Sequence, residues 1–98
     1  MGKLEKDDLL SIPGVGKNIA EDLRQMGIRC VSDLKGKDPQ WLYEQDCLNK
    51  GFQEDRCQLY VFRCAVYFAE HENHAPEKLK WWYWKDKAYP EADTAEFD

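Results

Sequence analysis

The sequence predicts an all-α fold: a compact bundle of short helices, with a tight hairpin near the N-terminus and a short Trp-rich helix near the C-terminus. Three observations predict it. Apolar residues recur at helical spacing through most of the chain, and no segment shows the apolar/polar alternation of a half-buried strand. Gly or Pro interrupts the pattern at 13–16, 27, 39, 51 and 76. Ninety-eight residues, 43% apolar and 13% aromatic, can build one core and leave no room for a second of ordinary size.

The elements follow in order. Residues 3–10 can form a first helix, which SIPGVG at 11–16 then breaks, because Pro and two Gly cannot continue a helical ladder. Residues 17–26 form a second helix with Ile19, Ala20, Leu23 and Met26 on one face. Gly27 supplies a left-handed stop, and Ile28 after it suits the hydrophobic contact of a Schellman cap. Ser32 is positioned to cap a short turn through Leu34 and Lys35. Asp38 followed by Pro39 is a cap with Pro at the first helical position, opening a helix to about Leu48 that Gly51 ends. The longest helix is expected over 53–71, with Cys57, Tyr60, Val61, Cys64, Phe68 and His71 at helical spacing. Pro76 opens a last short helix carrying Leu79, Trp81, Trp82 and Trp84. Residues 1–89 make the expected single domain. Residues 90–98, with four acidic side chains, no base and little apolar content, make an acidic tail expected to be disordered.

Composition excludes several classes. The first residues, MGKLEKDD, contain no apolar run of a secretory signal. No stretch approaches the ~18–20 apolar residues of a membrane span. Lys6 stands where a myristoylation signal after Gly2 requires Ser or Thr. Four cysteines without an export signal are expected as reduced thiols in a cytoplasmic protein. The hydroxyls are only Ser11, Ser32 and Thr94, leaving little for a serine hydrolase. No activated nucleophile or paired acid and base stands at a specific spacing, so the expectation is a non-enzyme with no cofactor and no small-molecule substrate.

The net charge of −5 argues against a strongly electrostatic nucleic-acid binder, but it is unevenly spread. Residues 1–37 hold seven Lys/Arg against six Asp/Glu, whereas 90–98 alone contribute −4. The body of the chain is therefore close to neutral.

Residues 9–34, LLSIPGVGKNIAEDLRQMGIRCVSDL, carry an apolar-Pro-Gly-apolar-Gly turn, Ala20 and Leu23 in register, then Gly27-Ile28 and Asp33-Leu34. This segment resembles the helix-hairpin-helix motif of DNA polymerases, ligases, and repair and competence proteins. The physical chemistry fits a phosphate site independently. Gly14 and Gly16 keep side chains out of the turn, and free amides at Gly16, Lys17 and Asn18 would point outward with the positive helix end behind them. Gly14, Val15, Gly16, Lys17 and Asn18 are thus the candidate phosphate-binding residues. Such a site holds a phosphodiester and reads no base. The resemblance also implies a monovalent cation held by the backbone carbonyls of Leu10, Ile12 and Val15. The competing reading makes the hairpin a packing unit or protein contact alone. GVGK at 14–17 is no Walker loop, because the glycine spacing is wrong and Asn18 replaces the magnesium-holding Ser or Thr. A second, degenerate hairpin at 48–52, with Lys50 and Gly51 at its turn, is expected to pack against the first. Together the two resemble a five-helix SAM-like bundle.

Cys57, Cys64 and His71 line up, but positions seven apart on a helix are separated by ~10.5 Å along its axis. That exceeds the reach of one zinc, with ligand bonds of ~2.0–2.3 Å, and of a Cys57–Cys64 disulfide. A metal would need Cys30 or Cys47 brought in, or His71 and His74 with Glu70; buried reduced thiols are the simpler expectation. For Trp81, Trp82 and Trp84 two readings stand: a stacking platform for unpaired bases beside Lys80, Lys85 and Lys87, or cover for a small core. Consecutive aromatics cannot all face one way, so one of them is expected at the surface.

The hairpin together with DRCQLYVFRCAVYFA at 55–69 and PEKLKWWYWKD at 76–86 resembles the small bacterial helix-hairpin-helix proteins called the pathogenicity locus family, across about residues 4–87. That label defines no activity. The expected function is therefore a sequence-independent DNA-binding module, accessory to repair or processing, binding DNA weakly. The alternative is a protein–protein interaction module contacting a larger partner.

Overall fold

The computed structural model describes residues 8–87 and 89. Three α-helices form its frame: α1 (Lys17–Gln25), α2 (Pro39–Lys50) and α3 (Arg56–Glu70). Short 3-10 turns at Asp8–Ser11, Val31–Leu34, Pro76–Leu79 and Trp81–Asp86 connect and flank them, and the described residues contain no strand. The all-α expectation is met. The acidic tail at 90–98 and most of the first expected helix lie outside the described residues.

Local chemistry explains the well-defined ends. The amide of Gly27 donates to the Arg24 carbonyl and that of Ile28 to the Leu23 carbonyl, at 3.0 and 2.9 Å. With Gly27 at φ +90° this is the Schellman pair, and Ile28 is buried behind it. Asp38 Oδ1 accepts from the Gln40 amide at 3.1 Å, with Pro39 at the first position of α2. Gly51, at φ +83°, stops that helix as the sequence suggests, with Lys50 as its last residue where about Leu48 was expected.

Four elements differ from their expected form. Within the described part of the first helix there is only the 3-10 turn Asp8–Ser11, closed by Ser11 Oγ donating to the Asp8 carbonyl at 2.6 Å. Ser32 does not cap its turn; Cys30 occupies the cap position and Asp33 Oδ2 accepts the Arg29 amide at 2.9 Å. The long helix begins at Arg56, not at 53. The backbone before it is taken by α2, since Tyr43 Oη donates to the Glu54 carbonyl and the Glu54 amide donates to Cys47 Sγ. The C-terminal helix is two 3-10 turns parted at Lys80, an extended residue.

The core forms where α3 meets α1, α2 and the preceding turns. Leu59, Phe62, Val66 and Ala69 give α3 one buried stripe, packed with Leu9, Leu23, Leu34 and Leu42. A second face, Cys64 and Tyr67, closes on Trp84. Both sides of α3 are therefore covered, which makes its buried surface wider than the single stripe read from the sequence; Cys57 and His71, at the ends of that stripe, are exposed. Trp84 is 1% exposed and its Nε1 donates to the Lys78 carbonyl at 3.0 Å. A buried indole with its polar atom satisfied anchors the C-terminal segment to α3.

Candidate functional site

The segment before α1 is a type II turn built by two residues. Ile12 accepts from the Val15 amide at 3.0 Å, Pro13 pre-sets the first central position, and Gly14 takes the positive φ of the second at +86°. Ile12 and Val15 are buried, so the turn is pinned from below while Gly14 and Gly16 remain exposed. Gly16 occupies the cap position of α1 with an extended backbone, φ −101° and ψ −168°. That conformation suits any residue, and a Cβ placed there would meet nothing within 4 Å. Gly16 is thus not required by the backbone. What its missing side chain does is leave the first turn of α1 uncapped.

The first intrahelical bond of α1 runs from the Ala20 amide to the Gly16 carbonyl at 2.9 Å. The amides of Lys17, Asn18 and Ile19 precede it, without an intrahelical acceptor. Lys17 and Asn18 are exposed. The turn thus brings Gly14, Gly16, Lys17 and Asn18 to one surface, whereas the Val15 side chain faces the core. Of the three residues whose carbonyls were expected to meet a cation, Ile12 already uses its oxygen to accept the Val15 amide.

Two contacts at this hairpin have no local signal in the sequence. A Cβ on Gly14 would lie 3.3 Å from Trp81 Cδ1, so that indole packs directly on the glycine. Trp82 meets Trp81 edge to face with ring centres 5.5 Å apart and is 56% exposed; Lys80 Nζ lies 6.0 Å from its ring centre. On the other side, Asp8 Oδ1 accepts the Val31 amide at 3.0 Å and ties the start of the hairpin to the turn after α1.

Behind α1 lies a polar network that sequence reasoning also missed. Lys50 Nζ donates to Asp22 Oδ2 at 2.8 Å and to Glu54 Oε1 at 3.2 Å, joining α1 to the turn between α2 and α3. Gln58 Nε2 reaches Asp46 Oδ2 at 3.0 Å, and Asp46 is 1% exposed. Burial, then the hydrogen bond it shares with Glu54, pushes the Asp46 carboxyl up to about 6, against the opposing pull of Gln58. Asp22 and Glu54 hold Lys50 firmly protonated, its pKa raised despite partial burial. Asp22, Asp46 and Glu54 present oxygens within 4.8 Å of one another, a spacing a metal could use. Here the Lys50 ammonium supplies the positive charge. The second turn thus turns its lysine inward to α1, in line with a packing role.

The cysteines divide by environment. Cys64 is buried, with its thiol pushed up to about 11 by burial. Cys57 is exposed, and Cys30 and Cys47 are half-buried, so the expectation of buried thiols holds fully only for Cys64. His71 Nε2 meets Tyr89 Oη at 3.2 Å, while His74 stacks on Phe68 and meets its carbonyl at 3.0 Å. Both histidines thus have protein partners at the end of α3. No helix among the described residues is long and apolar enough to cross a membrane.

These features define a small all-helical protein that presents an uncapped helix start behind a Pro-Gly turn. Residues 3–89 match the pathogenicity locus (Cdd1) family, and the chain belongs to it. It is 30% identical over 84 residues to mitomycin resistance protein McrB of Streptomyces lavendulae, an alignment covering 86% of this chain and 76% of that one. No solved structure matches the chain.

Proposed function

We propose that the chain is a non-enzymatic, sequence-independent DNA-binding module whose hairpin holds a backbone phosphate. One observation carries the reading: the start of α1 is left uncapped by Gly16 although both its backbone and its surroundings would accept a capping side chain. A Ser or Asp there would stabilise the helix. Its absence leaves the amides of Lys17 and Asn18, the positive end of the helix dipole and the Lys17 ammonium available to an anion. Contacts of this kind grip phosphates without reading bases. A single such hairpin on a nearly neutral body should bind weakly, near the ~10⁻⁴ M end of non-specific affinities. An accessory part in DNA repair or processing belongs to the same proposal.

The test uses Gly16→Asp. A carboxylate at that position caps α1 and complements its dipole, so stability should rise by about 0.5–1 kcal/mol. The same carboxylate occupies the amides and repels phosphate, so DNA binding should be lost. In an NMR titration with short duplex and single-stranded DNA at low salt, the amides of residues 14–18 should shift in the wild type and stay still in the variant. Flat wild-type shifts at these residues as salt is lowered sink the reading.

A separate feature favours the protein-interaction reading. An open groove of about 660 Å³ between α2 and the following turn is lined by Tyr43, Cys47, Leu48 and Phe52, and Leu48 and Phe52 are 72% and 61% exposed. Exposed apolar side chains beside a concave surface are a common mark of a partner site. Capture of a stable protein complex free of nucleic acid, lost on Phe52→Ser, would favour this reading.

A further inference from the structure

The Trp-rich segment is not uniform. Trp84 is buried against α3, Trp81 packs on the hairpin glycine, and Trp82 stands out from both with more than half of its surface in water. Its attachment is firm. It meets Trp81 edge to face, Trp81 rests on Gly14, and Arg63 Nη1 donates to the Trp84 carbonyl at 2.8 Å, holding the same 3-10 turn to α3. An exposed indole fixed in this way retains a large apolar area in water that packing elsewhere would have removed.

The charge around it has a sign. Lys80 lies at the outer limit of cation–π contact with Trp82, 6.0 Å from its ring centre. Lys85 and Lys87 follow on the same segment, both exposed, with Lys87 Nζ lying over the Tyr83 ring at 4.8 Å. A flat aromatic ring with the Lys80 ammonium at its edge, one ring away from the hairpin turn, suits a nucleobase on the ring and its phosphate beside that ammonium. A paired base inside a duplex cannot offer its face to a protein ring, whereas an unpaired one can. Only one ring, Trp81, separates Trp82 from the hairpin, so phosphate and base would come from the same stretch of strand.

We propose that Trp82 is a stacking platform for an unpaired base next to the phosphate held by the hairpin, so that the ligand is single-stranded DNA or a duplex carrying a single-stranded overhang, in preference to blunt duplex. This inference rests on the hairpin reading and gives it a substrate class.

The test measures binding of the 98-residue chain to three labelled oligonucleotides at low salt: a blunt duplex, the same duplex with a short overhang, and a single strand. Trp82→Ala should weaken binding to the overhang and the single strand about 5- to 100-fold, the span of one lost base–aromatic stack, and leave the blunt duplex unchanged. Trp82→Phe, which keeps a stacking ring, should restore most of the loss. Gly16→Asp should abolish binding to all three. Because Trp82 is exposed, both Trp82 variants should melt like the wild type, so a binding change is not a folding change. Equal effects of Trp82→Ala on blunt and single-stranded DNA, or none, would overturn the platform. The hairpin reading survives that result if Gly16→Asp still abolishes binding. No binding of any of the three by the wild type overturns both.

Discussion

Asp46 is 1% exposed, accepts from the Gln58 amide and lies beside Glu54, whose Oε2 is buried and has no other hydrogen-bond partner among the described residues. A proton kept on Asp46 serves both carboxyls, which accords with its pKa of about 6 against an ordinary 3.8. The sign for stability follows from linkage. The folded state binds this proton more tightly than the unfolded state, so the contribution is complete below about pH 4 and is lost as pH rises through 6. Asp33 acts in the opposite direction, since the Arg29 amide lowers its pKa, and its contribution is lost as pH falls through the acidic range. Thermal melts should therefore show stability declining between pH 5 and pH 8, by about 1 kcal/mol, most of it below pH 7. Asp46→Asn replaces the shared proton with a permanent amide donor. It should flatten this decline and leave the variant more stable than the wild type at pH 8. A wild-type melting point that rises from pH 5 to pH 8 would contradict the assignment.

At the scale of elements, the hairpin and the Trp turn behave as one unit because they share a contact. Gly14 is needed twice: its φ of +86° lies where an L side chain is strained, and a Cβ would press on Trp81 at 3.3 Å. Gly14→Ala should cost about 1–2 kcal/mol from the backbone alone, and near-UV circular dichroism should register the displaced indole. An unchanged near-UV spectrum would mean that the two elements are not coupled. Neighbouring glycines thus differ in kind: Gly14 is required by the turn, whereas Gly16 is not required by its backbone and leaves the helix start uncapped. Both stood in the sequence as one motif, and only the dihedral angles separate them. Signals that act within a few residues were legible there: the Gly27-Ile28 stop, the Asp38-Pro39 start and the Gly51 stop all lie where they were expected. The start of α3 was not legible, because it depends on Tyr43 and Cys47 reaching across from α2. The two 3-10 turns that replace the last helix were equally hidden, since they follow the burial of Trp84 against Cys64 and Tyr67. The same limit applies to the site: the residues of the turn could be read from its local motif, but Trp81 lies near the opposite end of the chain and its contact with Gly14 depends on the whole packing arrangement.

At the scale of the whole molecule, the question is how a chain of net charge −5 could hold DNA at all. Four of those charges lie in residues 90–98, on Glu91, Asp93, Glu96 and Asp98, while residues 1–37 are slightly basic. The network behind α1 also removes Lys50 from the count of available cations, because its ammonium is committed to Asp22 and Glu54. Attraction to a polyanion must then come mainly from local groups, namely the start of α1 with Lys17, Lys80 beside Trp82, and the exposed Lys85 and Lys87 further along the same segment. Long-range repulsion from the acidic segment opposes them at every separation shorter than a screening length, about 10 Å at 0.1 M salt and about 30 Å at 0.01 M. Converting Glu91, Asp93, Glu96 and Asp98 to their amides keeps the length and removes the repulsion. Binding to single-stranded DNA should tighten severalfold near 0.01 M salt and change little near 0.2 M. A variant that binds more weakly at low salt would mean that the acidic segment supports the complex, and a gain of equal size at both salt concentrations would mean that it acts by occupying the site and not through its field.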